Sequence, residues 1–334
     1  MRQVIAMLGI VGVVILLAAP RGVGAQGAKN RAAPSPWGPA DEIGTLNMMT
    51  DTSRLAILKQ IVSGKVYDLS VDLYSGMPSC CGAFGDPPYH LWMTHTPRGT
   101  IAANPFKVPR QVNERVAYSG DAVCMYTHTG THIDTLNHFG LHGNIWNQFS
   151  ADDHLGDQGW AKAGADKYPP IVARGVLIDV AKAKGMTPLP ASYSITVADL
   201  QTALQQQGTR LQPGDVVLFR TGLMTLWPDS AKYQLGNQAG LSLEAAQWLV
   251  EVHQAMLLGG DNFGVESFPS TDPENYVPVH TYLFAERGVS IIEVLWLEDL
   301  AKDQVYDFMF IAAPLKLRGA TGSPLRPLAI PTQR

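Results

Sequence analysis

Cysteine is nearly missing from this chain. Cys80, Cys81 and Cys124 are the only three in 334 residues. That excludes a disulfide-stapled scaffold, and no Cys-x-x-Cys pair exists to hold a metal through thiolates. Adjacent Cys80 and Cys81 can close only a strained ring, a pairing of Cys124 with either is open, and the odd count leaves at least one thiol. Charge is sparse as well: Asp, Glu, Lys and Arg make up 16% of the residues, with a net charge of −4. A mildly acidic chain without a basic cluster argues against nucleic acid or an anionic membrane surface as partner. Beyond residue 20 no apolar run approaches the ~20 residues that a membrane-spanning helix needs. Internal repeats and a convincing linker are also lacking. What is abundant is apolar: 46% of the residues, enough to bury a large core.

The first 25 residues form a unit of their own. Met1-Arg2-Gln3 gives a positive start, Val4 to Pro20 is apolar, and Val23-Gly24-Ala25 is a small-residue ending suited to cleavage after Ala25. This is the layout of a secretory signal peptide, and it predicts export to the periplasm by the general secretory route, since a twin-arginine pair is absent. The leader carries Arg2 and Arg21 and no acidic residue, so cleavage leaves a more acidic chain with no membrane segment. Residues 26 to 36 read as a flexible lead-in, and residues 37 to 330 as a single catalytic domain.

Within that domain, Thr52 to Val62 has helical spacing and Val66 to Leu73 alternates as a strand does. Residues 75 to 118 are rich in Pro, Gly and aromatics without a clear period, which predicts a lid or a set of short strands. Downstream, strands are expected at 175–180, 214–219, 255–258, 290–297 and 305–312. Helices are expected after the Thr196–Asp199 capping box, after Ser242, and from Pro278 to Arg287 before Gly288. This alternation predicts an α/β fold.

Three of the nine histidines and one carboxylate fall within His128-Thr129-Gly130-Thr131-His132-Ile133-Asp134-Thr135-Leu136-Asn137-His138. Imidazole and carboxylate are the ligands of Zn²⁺, Mn²⁺ or Fe²⁺. In a straight strand all four side chains share one face, but His128 and Asp134 stand roughly 20 Å apart at ~3.3 Å per residue. In a helix the four scatter around the axis. A shared ion therefore requires the chain to fold back, and Gly130 is the residue that can turn without steric cost. The segment follows the apolar run Ala122 to Tyr126 and reads as a strand end entering a tight metal-binding loop. His90, His95, His142, His154 and His253 lack such context and read as structural or exposed. Farther along, Glu293 interrupts the apolar run Ile291 to Leu295, where an unpaired charge is costly and a metal is a fitting partner. His280 lies thirteen residues before it.

The motif from His128 to His138 resembles the signature of the metal-dependent cyclase hydrolases, which include bacterial kynurenine formamidase and isatin hydrolase. Trp37-Gly38, Gly44-Thr45-Leu46-Asn47, Gly214 to Gly222 and Gly322-Ser323-Pro324-Leu325-Arg326-Pro327 are similar to family blocks in the same order. The resemblance implies a swivelling β/α/β domain that assembles as a homodimer or homotetramer and holds one or two divalent ions, Zn²⁺ or Mn²⁺. It implies His128, His132 and Asp134 as ligands of the first ion, and His138, His280 and Glu293 as the outer set. Asp134 or Glu293 is able to bridge two ions. With a single ion, His138 is free as the acid/base, and His138 and Glu293 are the catalytic candidates. Thr135-Leu136 departs from the Ala-Pro of several formamidases, so activity on kynurenine derivatives is not assigned.

The chemistry implied is cleavage of an amide, formamide, cyclic amide, ester or lactone in a small, aromatic substrate by activated water. Aromatic residues of the 75–118 segment and Trp146 are candidates for its pocket, and equally for ordinary core. Two rivals stand beside this reading. His132-x-Asp134 with a distant His280 also spells the triad of a non-heme Fe(II) oxygenase, a class commonly built on all-β barrels. A non-catalytic periplasmic metal or ligand binder is the other.

Overall fold

The computed structural model describes residues 31–80 and 85–333. The proposed signal peptide, the start of the lead-in, and Cys81 lie outside the described residues. Among the described residues, no helix is long and apolar enough to cross a membrane.

Eleven strands and six helices are enough to place the site. In chain order the strands are β1 (Tyr67–Asp68), β2 (His90–His95), β3 (Gly120–Cys124), β4 (His132–Asp134), β5 (Ile171–Asp179), β6 (Val216–Arg220), β7 (Leu257–Gly260), β8 (Ser290–Glu293), β9 (Asp307–Ala312), β10 (Gly322–Pro324) and β11 (Leu328–Pro331). The helices are α1 (Asp51–Leu58), α2 (Val180–Lys184), α3 (Val197–Gln207), α4 (Leu243–Gln247), α5 (Pro278–Thr281) and α6 (Glu298–Asp303). Nine strands form one mixed sheet, ordered β1-β11-β9-β5-β6-β7-β8-β4-β10. Strands β5 to β8 are parallel, and the strands outside them join antiparallel. The inner parallel strands β6, β7 and β8 are buried along their length and largely apolar, because both faces of such strands are covered. Helices α1 and α3 pack on β5, and α2 packs on α3 and β6. The expected α/β architecture is the observed one.

Local sequence explains most boundaries. Thr196 accepts a hydrogen bond from the Asp199 amide while Asp199 reaches back to the Thr196 amide, and Gly208 ends α3 in a left-handed turn. Thr50 and Ser53 make the same reciprocal box at α1, which stops at Leu58, short of the Val62 that its spacing suggested. The strand expected over 66–73 is regular only at Tyr67–Asp68. Leu69 and Val71 are still buried, but their backbone groups bond to Pro327, Trp296 and Thr131, in loops, rather than to a ladder. Hydrophobic alternation reports which side chains are buried; it does not report where the backbone hydrogen bonds go.

The 75–118 segment does contain a short strand, and helices at Pro97–Ala103 and Arg110–Asn113. The apolar run before the histidine motif departs from expectation in its neighbours. It is β3, which pairs with β2 in a separate two-stranded ribbon, and Leu91, Trp92, Met93 and Val123 on that ribbon are about half exposed. Cys80 is disulfide-bonded while Cys124 is a free, exposed thiol, so Cys124 pairs with neither neighbour.

Candidate metal centre

One strand register assembles the centre. Strand β4 lies between β8 and β10, with His132 opposite Glu293 and Asp134 opposite both Ile291 and Gly322. Directly opposed residues on neighbouring strands bring their Cβ atoms within about 5 Å, and residues two apart share a face. His132, Asp134 and Glu293 therefore converge although the carboxylate of Glu293 is 161 positions from His132 in sequence. Thr131 locks the register, donating its hydroxyl to the Val294 carbonyl (2.6 Å) and accepting from the Val71 amide (3.0 Å).

His128 arrives through the turn at Gly130, whose φ is +64°. Leu73 Cδ2 would lie 2.5 Å from any Cβ there, so both the backbone and the packing require glycine. His138 follows β4 through a turn in which its amide bonds to the Thr135 carbonyl and the Thr135 amide to Thr321. His280 is carried by α5.

The ligand atoms lie close. His128 Nδ1 is 2.5 Å from Asp134 Oδ1, and its Nε2 is 2.9 Å from the Thr321 hydroxyl. His132 Nε2 is 3.2 Å from Asp134 Oδ1 and 3.6 Å from Glu293 Oε2. His138 Nε2 is 3.7 Å from Asp134 Oδ2, and His280 Nε2 is 3.6 Å from Glu293 Oε1. Two sets of three could each hold an ion, with ligand atoms within 4.8 Å of one another: His128, Asp134 and His138, and His132, Asp134 and Glu293. Asp134 belongs to both, which is the geometry of a bridging carboxylate. Within these sets His128 stands with His138, their rings stacked at 4.0 Å, and His132 with Glu293. His280 reaches the centre through Glu293 rather than through Asp134.

Electrostatics fit a site built for a cation. Burial alone would raise the Asp134 carboxyl, but His128 and His138 hold it well below the ordinary value. Burial works against a charged His132, yet its hydrogen bond to Asp134 and the nearby carboxylates outweigh it and hold the ring at about 9. The same contest in His280, with Glu266 and Glu293 as partners, ends at about 10. A proton there occupies the place of a positive charge between carboxylates. His138 goes the other way: burial, aided by the neighbouring histidines, pushes it to about 3. The His132 Nδ1–H donates to the Gly130 carbonyl (2.8 Å), which leaves Nε2 as the ligating nitrogen. Buried nitrogen and carboxylate donors in this number match the chemistry of a divalent metal ion.

An open cavity of about 190 Å³ leads to the cluster. His128, His132, Asp134, His138, His280 and Glu293 line its floor, and Phe139, Leu235, Phe263, Phe268, Tyr276 and Val277 its apolar walls. The sequence reading did not single out three residues that touch the centre. Tyr126 packs its ring on His128 at 4.7 Å, Thr321 binds His128, and Glu266 binds His280. Thr321 directly precedes a recognised block, and Glu266 follows Asp261 as the second acid after β7; only the contact reveals either. Trp146 lies in the core, its indole N–H donating to Asp41, away from the cavity. None of His90, His95, His142, His154 or His253 lines the cavity.

Comparison with known proteins gives the same picture. The model of the putative cyclase family matches residues 67–267. Cyclase-like protein 2 of Oryza sativa subsp. japonica is 28% identical over 209 residues, 62% of this chain and 63% of the rice protein. The chain thus spans under two thirds of that relative's length. A solved structure described as a novel cyclase is 30% identical, with a TM-score of 0.78 over 90% of this chain and 99% of its own. Isatin hydrolase A from Ralstonia solanacearum shares the fold at 24% identity, with a TM-score of 0.59 over 79% of this chain and 91% of its own.

Proposed function

Since the chain belongs to the putative cyclase family, we propose that it is a metal-dependent hydrolase of small amides, formamides, cyclic amides or related esters. The observation that carries this is the pair of ligand sets joined at Asp134 on the floor of an apolar-walled cavity. His128, His132, Asp134, His138, His280 and Glu293 are the residues to hold one or two divalent ions, Zn²⁺ or Mn²⁺. An ion bound there supplies Lewis acidity and brings the pKa of water toward about 7.

The chain's own groups do the rest. The apolar walls receive a small planar substrate and exclude bulk water from its carbonyl. With a single ion held by the other residues, His138, kept neutral by burial and the neighbouring histidines, is free to accept a proton from the attacking water as the carbon–oxygen bond forms. It returns that proton to the nitrogen or oxygen that leaves, a role typically worth ~10²–10⁴-fold. Of the motif's histidines it is the most exposed, its side chain 20% exposed against 3% for His128 and 1% for His132. Glu293 balances the charge of the centre from β8.

The α/β sheet and the contact of His280 with Glu293 support the hydrolase reading over the oxygenase one. The leader supports export to the periplasm, and the half-exposed apolar ribbon of β2 and β3 supports assembly with further copies of the chain.

Metal content per chain, measured without a histidine tag, together with turnover on a formamide, cyclic-amide and lactone panel, tests the proposal. One or two equivalents of Zn or Mn and metal-dependent hydrolysis are expected. His132→Ala should lose an ion and all activity, while His138→Gln should keep at least one ion and lose ~10²–10⁴-fold in kcat. A protein that takes up no divalent ion, or a fully active His138→Gln, would refute the respective assignment.

A further inference from the structure

Glu266 is 1% exposed, just beyond the end of β7. A buried carboxylate is costly unless its oxygens are satisfied, and every donor that satisfies this one comes from the start of α5. Oε1 accepts the His280 amide (3.1 Å) and makes a short hydrogen bond with His280 Nδ1, and Oε2 accepts the Val279 amide (3.3 Å). An ionised carboxylate can only accept, so Nδ1 carries the proton in this contact and Nε2 is the nitrogen presented to the centre, 3.6 Å from Glu293 Oε1. One imidazole is thus gripped by two carboxylates, one on each nitrogen.

The backbone bears an independent mark of the same arrangement. Val265, directly before Glu266, has φ +48°, and Val294, directly after Glu293, has φ +56°. Left-handed geometry is strained for a β-branched residue and persists only where the surroundings impose it. Both valines are fully buried and tied down. The Val265 carbonyl accepts from the Leu241 amide (2.8 Å), the Val294 amide donates to Asn262 (3.1 Å), and the Val294 carbonyl accepts from Thr131 (2.6 Å). The two strained residues flank the two carboxylates that meet on His280.

We propose that Glu266 is a positioning residue that fixes the ring of His280, with Val265 and Val294 aiming the two carboxylates, so that Nε2 of His280 joins Glu293 in holding an ion. The proposal rests on the metal-hydrolase reading. Its test is Mn²⁺ titration of the metal-free full chain by calorimetry and paramagnetic resonance, for wild type, Glu266→Ala, Glu266→Gln, His280→Ala and the Glu266→Ala/His280→Ala double variant. Glu266→Ala should weaken the ion served by His280 by ~10–100-fold. Glu266→Gln, whose amide oxygen can still accept the Nδ1 proton, should recover most of that loss, and the double variant should bind no worse than His280→Ala alone. Additive losses in the double variant would overturn the proposal, as would wild-type Mn²⁺ binding in Glu266→Ala. So would a Glu266→Gln as weak as Glu266→Ala, which would place the effect in charge rather than in holding the ring. Glu266→Gln keeps the side-chain volume and an acceptor for both His280 contacts, losing only the one for the Val279 amide, so it decides the matter even if the alanine variant fails to fold. A wild-type chain that binds no Mn²⁺ or Zn²⁺ at all would instead strike the hydrolase reading itself.

Discussion

Three histidines of the centre respond differently to the same burial, and the difference has a sign that can be measured. His132 and His280, held at about 9 and about 10 against an ordinary 6.5, bind a proton more tightly in the folded chain than in the unfolded one. Their contribution to the stability of the metal-free protein is complete below pH 6.5 and is lost as pH rises through 9 to 10. His138, pushed to about 3, contributes above pH 6.5 and loses its contribution as pH falls toward 3. A metal-free sample should therefore melt at its highest temperature near neutrality and progressively lower toward pH 10. An ion bound by the same nitrogens replaces those protons, so the alkaline decline should flatten once Zn²⁺ or Mn²⁺ is added. Melting curves from pH 6.5 to 10 with chelator and with ion check this; parallel declines would mean that these imidazoles are not the ligands.

Among the elements, β4 matters most although it is only three residues long. Its neighbour β10 brings Gly322 against His128, and a Cβ on Gly322 would sit 2.6 Å from His128 Cε1. Gly322→Ala should keep the ladder, cost about 1–3 kcal/mol in overpacking, and tilt the imidazole away from Asp134. Gly64→Ala, which meets nothing within 4 Å, is the control. Ion affinity and melting temperature should both fall in the first variant and neither in the second. Retained wild-type affinity in Gly322→Ala would show that His128 yields without consequence. Strand β8 shows how a functional residue ends an element. Its apolar run continues to Leu297, but the ladder stops at Glu293, because the left-handed turn at Val294 sends the chain to bond with Asn262 and Gly260 instead.

Across the whole molecule, the centre ties β4 and β8 to the loop before β10 and to α5, four parts distant in sequence. An ion that binds only this folded arrangement stabilises it by mass action, by about 2.7 kcal/mol at a hundred times its dissociation constant. For a domain of roughly 300 residues that is a rise of about 4 °C in Tm. Thermal melts across a Zn²⁺ or Mn²⁺ titration measure it. No rise at saturation would mean the ion sits where folding builds nothing.

Much of this was legible in local sequence, because the physics concerned is local. The spacing of His128, His132, Asp134 and His138, the turn at Gly130, the capping box at Thr196 and the buried parallel strands each depend on residues a few positions apart. So did the suspicion that Glu293, charged within an apolar run, needs a cation. The grouping of ligands was not legible: a register pairing His132 with Glu293 is a long-range choice that no local pattern encodes. Nor was Glu266, whose partner is a ring on another element, nor the detachment of β3 into an exposed ribbon. The sequence by itself determined which groups are available to bind a metal and roughly where the buried parallel strands and their helices fall. The tertiary structure alone decided which of those groups meet, because antiparallel pairing of distant strands, and the strained turns that follow it, set the distances on which coordination depends.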